Sequence, residues 1–301
     1  MTSVALLIPC YNEELTIAEV VKSCKKNIPE AEIYVCDNNS TDKTAEVAKK
    51  AGAKVLSELR QGKGNAVRRL FAEVDADVYV MIDGDATYDV KVIPGLIKML
   101  QDGKLDMLVG VRRETEKSCY RSGHRIGNVF LTKVVELMFG YKLQDMLSGL
   151  RVFSKRFVKT FPAESKGFEI ETELTIYALS RRLPIKEVVT DYFSRPEGSV
   201  SKLSTYKDGI RILKTIVMLI KEECPMMFFG LVALFLVLLS LVLGVPVVTE
   251  YIKTGLVPRF PTAVLASSLM ICAFISFLMG VVLDSVAKVK KEISRANYLK
   301  Y

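Results

Sequence analysis

Two stretches without a single charged side chain, Met226 to Thr249 and Phe260 to Leu283, constrain this chain more than any other feature. At about 1.5 Å of rise per residue, each is long enough as a helix to cross roughly 30 Å of hydrocarbon. Core helices of soluble proteins seldom run uninterrupted for that length, so the pair is expected to span a bilayer rather than to form a buried hairpin. They also account for a chain that is 50% hydrophobic and 25% charged, a balance that excludes disordered and fibrous classes. The residues ahead of them suffice for a water-facing domain with its own core. Basic residues flank the spans unevenly. Lys288, Lys290, Lys291, Arg295 and Lys300 follow the second, whereas the connecting segment from Glu250 to Arg259 offers only Lys253 and Arg259, which places both termini in the cytoplasm. Met1 to Ile8 lacks the basic region and long apolar run of a cleavable signal, so the N-terminal domain is expected on the same side.

The charged residues, 42 Lys and Arg against 34 Asp and Glu, give a net +8 spread along the chain. That suits anionic lipid or anionic substrates better than nucleic acid, and no nucleic-acid partner is expected. Six cysteines form no CxxC pair and His124 is the sole histidine, too few ligands for a zinc site, so free thiols in a reducing compartment are expected.

The first half alternates short apolar runs with amphipathic segments, the pattern of parallel strands joined by helices and hence of an α/β fold. Val4 to Ile8, Ile33 to Cys36, Val78 to Ile82 and Met107 to Val111 read as strands. Helices are expected near Glu14 to Lys26, Thr41 to Ala51, Gly64 to Val74 and Val90 to Gln101. Such sheets bind ligands beyond the carboxyl ends of their strands, and three of these ends are polar. Pro9, Cys10, Tyr11, Asn12 and Glu13 follow the first, Asp37, Asn38, Asn39, Ser40, Thr41 and Asp42 the second, and Asp83, Gly84 and Asp85 the third. Two carboxylates flanking a glycine can reach one hard divalent cation shared with phosphate, although the same tripeptide also makes an ordinary turn. Asp37 is placed to accept hydrogen bonds from a base or ribose, and Ser40 or Thr41 to cap the next helix. Gln61, Gly62, Lys63, Gly64 and Asn65 open another helix, where open N–H groups and one cation suit a nucleotide's phosphates; a surface turn explains them equally well.

In this order and spacing, these segments resemble the glycosyltransferases of family 2, which have the GT-A fold, a Rossmann-like and mostly parallel sheet. Ser148 to Phe153 and Arg195 to Leu203 look like the branch that includes dolichyl-phosphate mannose synthase and the bacterial polyprenyl-phosphate glycosyltransferases. The resemblance implies a catalytic domain over 1–205, followed by a juxtamembrane amphipathic helix over 206–224 and a two-helix membrane region with a basic tail over 225–301. It implies an integral protein of a prokaryotic plasma membrane that moves a sugar from a UDP- or GDP-linked donor to undecaprenyl or dolichyl phosphate, with inversion, and a branch that includes tetramers. By the same resemblance Pro9, Tyr11, Asn12, Glu13, Asp37 and Asn38 line the nucleotide pocket. Lys63, Gly64, Arg195 and Lys202 join them, with Asp83, Gly84 and Asp85 toward the diphosphate. Asp83 and Asp85 hold Mg2+ or Mn2+, and Asp145 lies near the transferred sugar. Some members add a glutamine ligand two residues past the second aspartate; Thr87 stands there in this chain, which leaves the third ligand open.

A lipid monophosphate is mostly dianionic at pH 7, so it attacks without a general base but needs cations to approach a diphosphate. Arg112, Arg113, Arg121 and Arg125 follow the fourth strand. Arg112 and Arg125, with Ser201, are the candidates for the acceptor phosphate, and Gly198, Ser199 and Ser201 make the segment carrying Arg195 and Lys202 a loop able to close over the diphosphate. Lys207 to Glu223 carries Ile210, Leu213, Val217 and Ile220 at helical spacing among basic residues, as an interfacial helix does; packing on the soluble core is the alternative. Glu169 and Glu171 read as ordinary exposed helix residues. A processive polysaccharide synthase would need a Gln-x-x-Arg-Trp motif, and the chain has no tryptophan. Nucleotidyl transfer, a different lipid or glycan acceptor, and a non-catalytic nucleotide-sugar-binding membrane scaffold remain as alternatives.

Overall fold

The computed structural model describes residues 2–114, 132–196, 198 and 205–301. They divide into two compact units, Met1–Ile216 with Arg295–Tyr301, and Val217–Ser294.

In the first unit, β1 (Val4–Cys10), β2 (Glu32–Asp37), β3 (Lys54–Ser57), β4 (Val78–Met81), β5 (Met107–Glu114), β6 (Arg151–Ser154) and β7 (Ile185–Tyr192) form one sheet in the order β3-β2-β1-β4-β6-β5-β7. All pairs are parallel except those of β6, which runs antiparallel between β4 and β5. Successive residues of β1 serve opposite faces. Val4, Leu6, Ile8 and Cys10 pack with α1 (Ile17–Asn27), α2 (Thr44–Lys50) and α4 (Ile93–Asp102), while Ala5 and Leu7 pack with α3 (Lys63–Glu73). Residues 132–139 are helical (α5), and α6 (Lys155–Thr160) and α7 (Ile170–Ser180) join the α3 side. Burial on both faces explains why the central strands read as continuous apolar runs.

From β1 the chain moves outward to β2 and β3, then returns to place β4 on the other side of β1. That reversal opens a crevice at the carboxyl ends of β1 and β4, where sheets of this type take ligands. Cys10 is level with Asp37, and Asp37 with Ser57, so the strand ends form one edge.

The expected strands and helices of the first half are present, with shifted ends. α2 starts at Thr44 rather than Thr41, and neither Ser40 nor Thr41 caps it. Their polar atoms are spent elsewhere: the Ser40 hydroxyl accepts from the Asn12 N–H at 3.0 Å, and the Thr41 N–H donates to Asn12 Oδ1 at 2.8 Å.

α8 (Thr205–Glu223) is two-faced. Ile212 and Ile216 are buried, whereas Ile210, Leu213 and Val217 are exposed and alternate with exposed Arg211 and Lys214. In the second unit, α9 (Pro225–Thr254) and α10 (Phe260–Tyr298, whose end belongs to the first unit) each contain a stretch long and apolar enough to cross a membrane. Apart from Pro225 at the start of α9, their buried positions recur every seventh residue and are mostly small: Ala233, Ser240 and Val247 on α9, and Ala266, Ala273, Gly280 and Ala287 on α10. Small side chains let antiparallel helices approach closely, and Ser240 Oγ reaches the Ala266 carbonyl at 2.8 Å.

Candidate active site

The carboxyl edge gathers four acidic side chains and two cations. Asp83 and Asp85 follow β4; Glu13 follows β1; Glu171 comes from α7. Lys63, at the first position of α3, lies 2.5 Å from Asp83 Oδ1 and 2.5 Å from Glu171 Oε1. Burial works against its ammonium, but the two carboxylates prevail and hold its pKa above the ordinary lysine value. Arg195 reaches Asp85 Oδ2 at 2.5 Å and Glu13 Oε1 at 3.8 Å. Asp85 is 3% exposed, and that burial, with Asp83 close by, raises its pKa against the pull of Arg195. Four carboxylates facing two side-chain cations leave two negative charges in excess, a donor set suited to one divalent oxygen-seeking ion.

Among the described residues no cluster of three or more metal-ligating side chains is assembled. Thr87 does not supply the further ligand: its hydroxyl donates to Asp85 Oδ1 at 2.6 Å and orients that carboxylate. Ala86 between them adopts φ 58°, a left-handed conformation costly for a residue with a Cβ and held here by the hydrogen bonds around it.

Of the residues expected to meet a nucleotide, Pro9 is buried within β1, and Tyr11 and Glu13 follow that strand. Asp37, at the end of β2, has Oδ1 buried without a hydrogen-bond partner among the described residues, an acceptor waiting for a donor. The two asparagines expected there are engaged in loop hydrogen bonds. Asn38 gives both amide hydrogens to the carbonyls of Glu58 and Arg60 and accepts the Gly62 N–H at 2.6 Å; Asn12 holds the Ser40 and Thr41 loop. Both fix loops around the crevice. The expected open N–H groups of the glycine-rich turn are also engaged: Gly64 donates to the Gly167 carbonyl at 3.1 Å. Gly62 and Gly64 are required because a Cβ on either would collide with the backbone of Ser165 and Lys166. Lys63 alone of that turn brings a charge to the site.

Of the residues expected at an acceptor phosphate, Arg112 grips Asp145 through Nε at 2.6 Å and Nη2 at 2.7 Å and lies over the Tyr192 ring. Glu187 accepts the backbone N–H groups of Gln144 and Asp145. The candidates Arg125, Ser201 and Lys202 lie outside the described residues, as does Arg121.

Four residues of this region escape sequence reasoning. Glu171 is 3% exposed, not the ordinary surface glutamate expected, and Glu169 is buried with it. The clue was slight: the apolar residues of α7 form no single stripe, so no face of the helix is set aside for its acids to meet water. Arg151 is fully buried on β6; it donates to the carbonyls of Met146 and Ser148 and to Thr175, and burial lowers its pKa to about 10. Tyr88 is buried beside Tyr192, ring centroids 5.1 Å apart.

A mostly parallel sheet with paired aspartates at its switch-point edge defines a GT-A glycosyltransferase. The chain belongs to glycosyl transferase family 2, whose profile matches residues 5–161. It is 29% identical to glycosyltransferase AglJ of Haloferax volcanii over 96% of this chain and 95% of the relative, and 29% identical to a dolichyl-phosphate hexose transferase of the same organism over 73% and 94%. The fold matches that of glucosyl-3-phosphoglycerate synthase from Mycobacterium tuberculosis, a structure in complex with Mn2+, UDP-glucose and phosphoglyceric acid, with a TM-score of 0.62 and 24% identity over 72% of this chain and 79% of that one.

Proposed function

We propose that this glycosyltransferase moves a sugar from a nucleoside-diphosphate sugar to a polyprenyl phosphate in the membrane that α9 and α10 span, with its catalytic domain and both termini cytoplasmic. The observation that carries the reading is the crevice itself: paired aspartates, two balancing cations and the unpartnered Asp37 oxygen on one sheet edge. The dolichyl-phosphate name of one relative and the exposed apolar and basic face of α8 support a lipid acceptor.

Asp83 and Asp85 are the residues that would hold Mg2+ or Mn2+. Such an ion would offset charge developing on the departing nucleoside diphosphate. Asp37 accepts from the ribose or base, and Pro9, Tyr11 and Glu13 border that pocket. Lys63 holds the Asp83 carboxylate in place. Arg195 occupies Asp85 before the donor enters; its fork fits the donor's diphosphate, and turning to that diphosphate releases the Asp85 oxygen. Arg112, set by Asp145, offers positive charge to the acceptor phosphate, which attacks the anomeric carbon directly and inverts it.

The reading is tested by offering UDP- and GDP-sugars with short polyprenyl phosphates and a divalent metal, and weighing the products. Lipid-phosphate-sugar is expected. Nucleoside diphosphate release that ignores the lipid phosphate would point to another acceptor, and binding without release to a scaffold.

A further inference from the structure

Gly149 has no part in the chemistry above, yet its surroundings give it one. A Cβ built on it would lie on the Asp83 carboxylate, 2.7 Å from Cγ and 2.8 Å from Oδ1, with Oδ2 closer still. Its φ lies outside the left-handed range, and the three atoms nearest to such a Cβ all belong to the Asp83 carboxylate.

The backbone at Gly149 is tied in place. Its N–H donates to the Tyr88 hydroxyl at 2.8 Å. Ser148 Oγ donates to the Gly110 carbonyl at 2.5 Å, so the 3.4 Å link between Ser148 Oγ and Tyr88 uses the tyrosine's hydrogen. Arg151 holds the carbonyls of Met146 and Ser148 from below. Asp83 is in turn drawn to Lys63 at 2.5 Å. An added methyl would therefore displace the short Asp83 side chain sooner than the loop.

We propose that Gly149 is a positioning residue: its bare Cα, backed by Tyr88 and Arg151, is the wall against which the Asp83 carboxylate is set toward the cation shared with the donor diphosphate. The inference rests on the metal role proposed for Asp83.

The test is Mn2+ titration, followed by electron paramagnetic resonance, of full-length purified protein with UDP or GDP present, comparing wild type with Gly149→Ala. The expected result is Mn2+ affinity weakened about 10- to 100-fold, as when other supports of a metal ligand are removed, with metal-free nucleotide affinity and thermal midpoint retained. Tyr88→Phe loosens the wall, so the double variant should lose less than the two single losses combined. Equal Mn2+ affinity in Gly149→Ala and wild type would overturn the inference alone; a wild type that binds no Mn2+ with either nucleotide would remove the metal reading and the inference together. Should Gly149→Ala not fold, Tyr88→Phe carries the test: weakened Mn2+ affinity supports the wall, and wild-type affinity overturns it.

Discussion

Asp83 and Asp85 stand two positions apart and have different partners, Lys63 for one and Arg195 with Thr87 for the other. Asp85→Ala removes a proposed ion ligand and little core volume. Transfer is expected to fall on the order of 10²- to 10³-fold, as when a single stabilising group for transition-state charge is deleted, with the melting transition kept; wild-type turnover in that variant would refute the metal role. Lys63→Met is expected to act on the fold instead. It leaves Asp83 and buried Glu171 without their cation, and breaking a buried ion pair this way costs about 3–5 kcal/mol, measurable by denaturant titration. The strand-end acids were legible because each follows directly on an apolar run. The Lys63–Glu171 pair was not, since α3 and α7 are brought together only by packing on the same face of the sheet.

Among elements, β1, β2 and β4 were readable as apolar runs, whereas β6 and β7 were hidden. β6 is four residues long and opens with an arginine, and β7 carries Lys186, Glu187 and Asp191 at an edge of the sheet where, among the described residues, one side pairs with no strand. Of the apolar stripe read on α8, Ile210, Leu213 and Val217 are exposed together, and the structure adds a second, buried stripe of Ile212 and Ile216 that the reading did not include. Ile212→Ala is expected to cost about 2–5 kcal/mol of stability as a buried truncation. Ile210→Glu, on the exposed stripe, is expected to keep the fold and to weaken transfer to polyprenyl phosphate embedded in vesicles more than transfer to a short, water-soluble polyprenyl phosphate; equal losses, or none, would argue against an interfacial role. The end of α10 supplies a further test. Tyr298 donates to buried Asp106 at 2.7 Å with Arg156 against its ring, and burial together with that bond raises its pKa above the ordinary 10.0. The folded state thus favours the protonated phenol, a stabilisation complete below about pH 10 and lost as pH climbs beyond it. Tyr298→Phe should be less stable than wild type at neutral pH, and the gap should narrow above pH 10 in chemical denaturation; a constant gap would deny the tyrosine that role.

For the whole molecule, two features of the sequence carried the reading, charge-free spans of membrane length and strand ends of one polarity, because both follow from solvent and backbone rather than from tertiary detail. The structure adds how each unit is knit: a seven-stranded sheet with one antiparallel insertion, and a helix pair whose small residues meet every seven positions. The proposed orientation predicts that a C-terminal tag is digested by protease only when the cytoplasmic side is accessible. The central claim is transfer to a lipid phosphate that depends on a divalent ion at Asp83 and Asp85. Its most direct measurement is mass detection of glycosylated polyprenyl phosphate made by purified protein before and after complete chelation. The account predicts that product disappears with the chelator and returns with added Mn2+; product formed at the same rate in its presence would contradict it.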